Sequence, residues 1–145
     1  MVSVVIVDYK TPEESFKYIG RFAQAVKTDG NLHYVVVDNS GEECIRKYCE
    51  QQSIGMKEFE YSEDVYVVSI AQTDVYVVDS HGNLGYARGN NLGVCFSNDV
   101  WDDPRVIITN NDIYFSETIQ LDAFEQVLRE HPYIAVVGPM VRNMK

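Results

Sequence analysis

Four carboxylates stand behind apolar runs in this chain. Asp8 follows Val2–Val7, Asp38 follows Tyr34–Val37, Asp79 follows Val75–Val78, and Asn110-Asn111-Asp112 follows Val106–Thr109. If the runs are parallel strands of an open α/β sheet, all four fall on one edge, the edge where such sheets bind ligands. A carboxylate there could hold a divalent cation through hard oxygen contacts, and the cation could hold phosphate. A rim of four acids would repel a bare diphosphate without such a cation. The alternative stands beside this reading: Asp is frequent in turns and helix caps, and each of the four could serve one.

His81-Gly82-Asn83-Leu84-Gly85-Tyr86-Ala87-Arg88-Gly89-Asn90-Asn91-Leu92-Gly93 is the second stretch that could carry chemistry. Gly85, Gly89 and Gly93 fall four apart, on one face of an expected helix, where each costs about 1 kcal/mol relative to Ala. That face is expected to press on backbone or ligand, with tight helix–sheet packing as the structural alternative. Backbone N–H groups around Gly82, Asn83 and Gly85 could face a phosphate, and Arg88 offers a cation to a diphosphate. The spacing is neither a dinucleotide fingerprint nor a P-loop. Lys10 closes the first strand and could equally be a solvated loop residue. His33, His81 and His131 are scattered without ligand spacing, and no nucleophile motif of the G-x-S-x-G kind occurs.

The elements that must position these residues follow from hydropathy. Val2–Val7 is a near-continuous apolar run, the pattern of a strand buried on both faces. Thr11, Pro12 and Glu14 compose a capping box opening a helix whose inward face is Phe16, Ile19, Ala23 and Val26. Tyr34–Val37 is a second strand, and Ser40 to Glu43 a second capping box before a helix carrying Ile45, Tyr48 and Cys49. Val65–Ile70 and Val75–Val78 both read as strands across the turn Ala71–Asp74. The second is the expected sheet member and the first an added edge strand or hairpin. A helix over about Tyr86–Ser97, a buried central strand Val106–Thr109, a helix over about Leu121–His131 and a last strand Ile134–Val137 complete the chain. The alternation predicts an α/β/α sandwich around a mainly parallel sheet, in one domain.

Composition narrows the function. The chain has 145 residues, 12 Lys and Arg against 22 Asp and Glu, and a net charge of −10, which argues against nucleic acid as a partner. No apolar run approaches the ~20 residues that span a bilayer, and the N-terminus does not read as a signal peptide. Three cysteines without ligand spacing suit a reducing cytoplasm, with Cys44 and Cys95 as small core residues. A phosphoacceptor receiver domain would need a carboxylate pair after the first strand, where a single Asp8 stands.

Taken together, Val2-Ser3-Val4-Val5-Ile6-Val7-Asp8-Tyr9-Lys10, Val35-Val36-Val37-Asp38-Asn39-Ser40, Asn83-to-Gly93, Asn110-Asn111-Asp112 and Val136-Val137-Gly138-Pro139 resemble family 2 glycosyltransferases of the GT-A fold, in order and spacing. The rhamnosyltransferase-like branch, in bacterial cell-surface polysaccharide biosynthesis, is the nearest in look. The resemblance implies a Rossmann-like fold that binds a UDP-, dTDP- or GDP-sugar. It also implies transfer of the sugar, with inversion, to a hydroxyl of a glycan or lipid-linked acceptor. By the same resemblance Asp38 hydrogen-bonds the base, and Asp8, Tyr9 and Lys10 line base and ribose. Asn83, Gly85 and Arg88 lie along the nucleotide and diphosphate. Asn110 lies near ribose or metal, Asp112 is the ligand of Mg²⁺ or Mn²⁺, and Asn111 is the variable middle position.

Two departures stand out: Asp8 and Lys10 occupy positions where the family has Thr and Asn. The family's general base lies beyond the matched region, so the chain is expected to be the N-terminal, donor-binding part of a longer hexosyltransferase-type enzyme. It is expected in the cytoplasm or at the inner face of the cell membrane. The second function class is a non-catalytic nucleotide- or partner-binding module derived from such an enzyme.

Overall fold

The N-terminal apolar run becomes a strand covered on both faces, and the chain is laid out around it. In the computed structural model, which describes residues 1–70, 72–102 and 105–139, the elements run in the order β1 (Val2–Asp8), α1 (Pro12–Ala25), β2 (Val26–Lys27), β3 (Leu32–Asp38), α2 (Cys44–Gln51), β4 (Met56–Glu58), β5 (Val65–Ile70), β6 (Thr73–Asp79), α3 (Gly85–Trp101), β7 (Val106–Thr109), β8 (Ile119–Gln120) and α4 (Leu121–Glu130). Six strands form a mixed, mainly parallel sheet in the order β4-β5-β6-β3-β1-β7, and β2 pairs with β8 apart from it. The contacts β6–β3, β3–β1 and β1–β7 are parallel. β5 and β4 add on antiparallel beyond β6. Val65–Ile70 and Val75–Val78 are therefore both sheet members: the second continues the parallel core, and the first folds back on it as a hairpin.

Alternation along β1 divides the core. Val2, Val4 and Ile6 face Phe16, Tyr18, Ile19 and Phe22 of α1, with Ile45 and Cys49 of α2 and Leu121 of α4 in the same cluster. Val5 joins Val35, Val37, Val78 and Phe96 of α3 on the opposite face. The result is the expected α/β/α sandwich, Rossmann-like in layering. Among the described residues, no helix is long and apolar enough to cross a membrane.

Several expectations are corrected. The inward face of α1 is Ser15, Phe16, Tyr18, Ile19 and Phe22, while Ala23 is exposed. Aromatic bulk, not the smallest apolar residue, fills the space over the sheet. Of the cysteines, Cys49 is buried, Cys44 intermediate and Cys95 exposed; burial pushes the Cys49 thiol up to about 11. Val106–Thr109 is the last strand of the described sheet rather than a central one, and Ile108 is 52% exposed. A β-branched run reports strand propensity; it does not report how many neighbours the strand has. Ile134–Val137 forms no strand, and Val136 is 85% exposed. Ala71 of the expected hairpin turn, and Val141–Lys145, lie outside the described residues.

Candidate functional site

Strand register brings three of the four carboxylates into one row at the carboxyl edge. Asp8 is opposite Asp38, and Asp38 is opposite Asp79. All three are buried, at 0, 1 and 8% exposure. Their oxygens turn toward their own loops. Asp8 Oδ1 accepts from the Thr11 amide at 3.1 Å, and Oδ2 accepts from Thr11 Oγ1 at 3.2 Å and Ser15 Oγ at 2.6 Å. Asp38 Oδ1 accepts from the Ser40 amide at 3.1 Å and Ser40 Oγ at 2.6 Å, and Oδ2 from the Ile45 amide at 2.8 Å. Asp79 Oδ1 accepts from the His81 amide at 2.8 Å.

Neither expected capping box forms as a reciprocal pair, although Ser40 Oγ accepts from the amide of Cys44, the first residue of α2, at 3.3 Å. Upstream carboxylates bind the Thr11 and Ile45 amides, and negative charge is favourable where those amides and the helix dipole point. Glu14 pairs with Lys17 and Glu43 with Arg46. Burial raises the Asp8 pKa above its usual 3.8, opposed by the hydrogen bonds from Ser15 and Thr11 and reinforced by the charge of Asp38.

Asn39, 3% exposed, ties the turn after β3 to the turn after β6. Its Nδ2 donates to Asn83 Oδ1 at 3.2 Å and its Oδ1 accepts from the Leu84 amide at 2.9 Å. Asn83 Oδ1 also accepts from the Gly85 amide at 2.9 Å. A Cβ at Gly41 would stand 2.9 Å from Gly82 Cα, so these two loops meet backbone to backbone. The function of Asn39 was legible only as one member of the Asp-Asn-Ser strand end.

The stripe of glycines divides by role. At Gly93 a Cβ would meet Val5 Cγ1 at 2.5 Å, and at Gly89 both γ carbons of Val7 at 3.1 Å, so these two let α3 lie close on β1. Gly85 has φ +75° with nothing within 4 Å of an added Cβ, which leaves it at the open end of the helix.

Facing outward at this edge are Tyr9 and Tyr86, each 52% exposed, with Asn83, Arg88, Asn110 and Asp112. Lys10 has φ 64° and pairs with Glu42 at 2.6 Å, which raises its pKa. Among the described residues the side chains of Arg88, Asn110 and Asp112 make no hydrogen bond or ion pair. Tyr86, expected only as the start of a helix, is an exposed aromatic at this edge. Asn111, the middle position of the motif, is held: its Nδ2 donates to Thr11 Oγ1 at 3.0 Å and Ser15 Oγ at 2.9 Å.

No group of three acidic, His or Cys side chains that could cage a metal occurs among the described residues. An exposed, unpartnered Asp112 nonetheless fits a cation shared with phosphate, since Mg²⁺ keeps several waters and needs one or two carboxylates beside phosphate oxygens. The surface here is open. A cavity of about 450 Å³ lies instead beside the following loop, lined by Arg21, Gln24, Tyr114 and Phe115 among others. The chemistry, not the concavity, marks the strand edge.

Fold and site thus define a Rossmann-like α/β protein whose exposed polar and aromatic groups gather at the carboxyl ends of parallel strands. No protein-family model matches the chain, and no solved structure matches it. A curated relative does: the chain is 24% identical over 142 residues to Agl10, a low-salt glycan biosynthesis hexosyltransferase of Haloferax volcanii. That similarity takes in 98% of this chain, which spans 37% of the relative's length.

Proposed function

We propose that this chain is the nucleotide-sugar-binding part of a glycosyltransferase, of family 2 and the GT-A type, acting in cell-surface glycan assembly. The observation that carries the reading is the outward row at one sheet edge: an aromatic face at Tyr9, amide at Asn83, cation at Arg88, and carboxylate at Asp112. Those groups complement, in turn, a base, a ribose or phosphate oxygen, a diphosphate, and a hard cation. Similarity to a hexosyltransferase over nearly the whole chain supports it from a separate direction.

Under this reading Tyr9 stacks on the base, and Asp38 accepts a base N–H with the lone pair of Oδ2 that its own loop leaves over. Asp8 contributes from beneath, by fixing the turn that carries Tyr9 and Lys10. Arg88 presents a planar fork to the diphosphate, Gly85 lets backbone approach it, and Asn110 lies against ribose or metal. Bound at Asp112, Mg²⁺ or Mn²⁺ supplies Lewis-acid neutralisation of the departing diphosphate. The whole enzyme transfers the sugar with inversion to an acceptor hydroxyl. No residue of this chain is assigned as the base that activates that hydroxyl.

Calorimetry with UDP, dTDP and GDP, each with and without Mn²⁺, tests the reading. Binding of one of them, strengthened by Mn²⁺, is expected; no metal-dependent binding of any of the three would sink it. Asp112→Ala is expected to abolish the Mn²⁺ dependence while leaving the urea midpoint nearly unchanged. An exposed, unpartnered side chain contributes within about 0.5 kcal/mol to stability.

A further inference from the structure

We infer that Asn111 is a positioning residue, gripped by α1 on two sides so that Asp112 and Asn110 are presented to a cation; this rests on the donor-site reading above. The first grip is the carboxamide. Its Nδ2 donates to Thr11 Oγ1 at 3.0 Å and to Ser15 Oγ at 2.9 Å, which uses both amide protons. Each of those hydroxyls gives its own proton to Asp8 Oδ2, at 3.2 and 2.6 Å. They therefore present only lone pairs to residue 111, and a donor is required there. A carboxamide turned the other way, or a carboxylate, would set lone pair against lone pair.

The second grip is on the backbone. Arg21 Nη2 donates to the Asn111 carbonyl at 3.1 Å, and its guanidinium lies 4.6 Å from the Tyr114 ring centroid. One turn earlier on the helix, Tyr18 Oη and Thr109 Oγ1 share a hydrogen bond of 2.5 Å. Residues 109, 111 and 114 are thus held by α1, while Asn110 and Asp112 are exposed and unpartnered among the described residues. Asp8 is fully buried at the root of the network. A carboxylate is costly to bury unless hydrogen-bonded, and here the groups that satisfy it also fix the loop.

Groups that orient a metal ligand without touching the metal typically change its affinity 10–100-fold when removed. The test is Mn²⁺ affinity of the 145-residue chain, followed by the EPR signal of free Mn²⁺, in the presence of whichever of UDP, dTDP or GDP binds. Asn111→Leu keeps the size and removes both donors. It is expected to weaken Mn²⁺ binding about tenfold or more, while nucleotide affinity in EDTA holds within about twofold.

Asn111→Asp adds a carboxylate beside Asp112. A count of charges expects tighter Mn²⁺ binding from it; positioning expects weaker, and tighter binding overturns the proposal. In the metal-free chain, ¹⁵N order parameters of the Asn110 and Asp112 amides are expected to fall in Asn111→Leu, and unchanged values overturn it as well. Should Asn111→Leu not fold, Ser15→Ala removes one of the two acceptors and is expected to shift Mn²⁺ affinity in the same direction; no shift there overturns the proposal. Wild-type chain that binds no Mn²⁺ with any nucleotide overturns this and the donor-site reading together. Wild-type binding with an unchanged Asn111→Leu overturns the positioning role alone.

Discussion

Gly93 has no room for a methyl group. A Cβ would come within 2.5 Å of Val5 Cγ1 and 3.2 Å of Val37 Cγ2, both on strands buried in the sheet. Overpacking costs about 1–3 kcal/mol, and Ala gains about 1 kcal/mol in a helix interior over Gly. Gly93→Ala is therefore expected to lower stability by up to about 2 kcal/mol in urea unfolding. Gly89→Ala is tight only against the γ carbons of half-buried Val7 at 3.1 Å, with Asn39 Cγ at an ordinary 3.7 Å, so gain and cost should cancel to within about 1 kcal/mol.

The other residue-scale expectation is a pH dependence at His81. Its Nε2 lies 2.6 Å from Asp64 Oδ1, and that hydrogen bond, then the charges of Asp79 and Asp64, raise its pKa above the usual 6.5. The folded chain keeps this proton to higher pH than the unfolded chain does. The stability it contributes is thus fully present below pH 6.5 and lost as pH rises through the folded pKa. The urea midpoint should show a fall in that window, and His81→Gln should remove it; an identical pH profile in the variant would contradict this account. Asp8 runs the same way at lower pH. Its raised pKa makes its contribution fullest below 3.8, declining as pH rises through the folded value.

At the scale of elements, α1 is more than a layer over the sheet. Its inner face is aromatic where it packs and hydroxylic where it reaches the strand ends. Ser15, Tyr18 and Arg21 follow one another at helical spacing, and all bind the segment that begins at the end of β7. The helix is a template on which that segment is laid. Tyr18→Phe keeps the aromatic packing but leaves Thr109 Oγ1, on a residue 8% exposed, without its partner. That should cost about 1–3 kcal/mol and release hydrogen-exchange protection first at the end of β7. Equal loss of protection across β1 and β3 would argue against a local role.

For the molecule as a whole, the sheet is deep at β1, β3 and β6 and thin at β7. Val36 is 0% exposed and Ile108 52%. Val36→Ala is expected to cost about 2 kcal/mol or more from lost transfer and a residual cavity. Ile108→Ala should cost under about 1 kcal/mol, since half of its surface is already in water. Comparable losses at the two sites, measured by urea unfolding, would mean that β7 is covered in solution by something the present chain brings to it.

Local chemistry, which sequence carries, determined much of this. Apolar runs and their period placed β1, β3, β6 and the helices, because burial on two faces or one leaves a pattern in hydropathy that no neighbour can erase. The carboxylates behind those runs were legible for the same reason: each interrupts a strand where the backbone must turn. What sequence could not hold is who stands next to whom. Strand order made β7 an edge instead of a centre and left Val136 in solvent. Asp8 and Asp38 turn onto donors only two to seven residues ahead of them, but the turns that bring those donors round leave no period in hydropathy. Long-range contact ties the polar side chain between Asn110 and Asp112 to a helix about a hundred residues earlier, at separations of 100 and 96 positions. Periodicity sees a few residues in either direction; a hydrogen bond across the sheet edge exists only once the fold has brought its two ends within 3 Å.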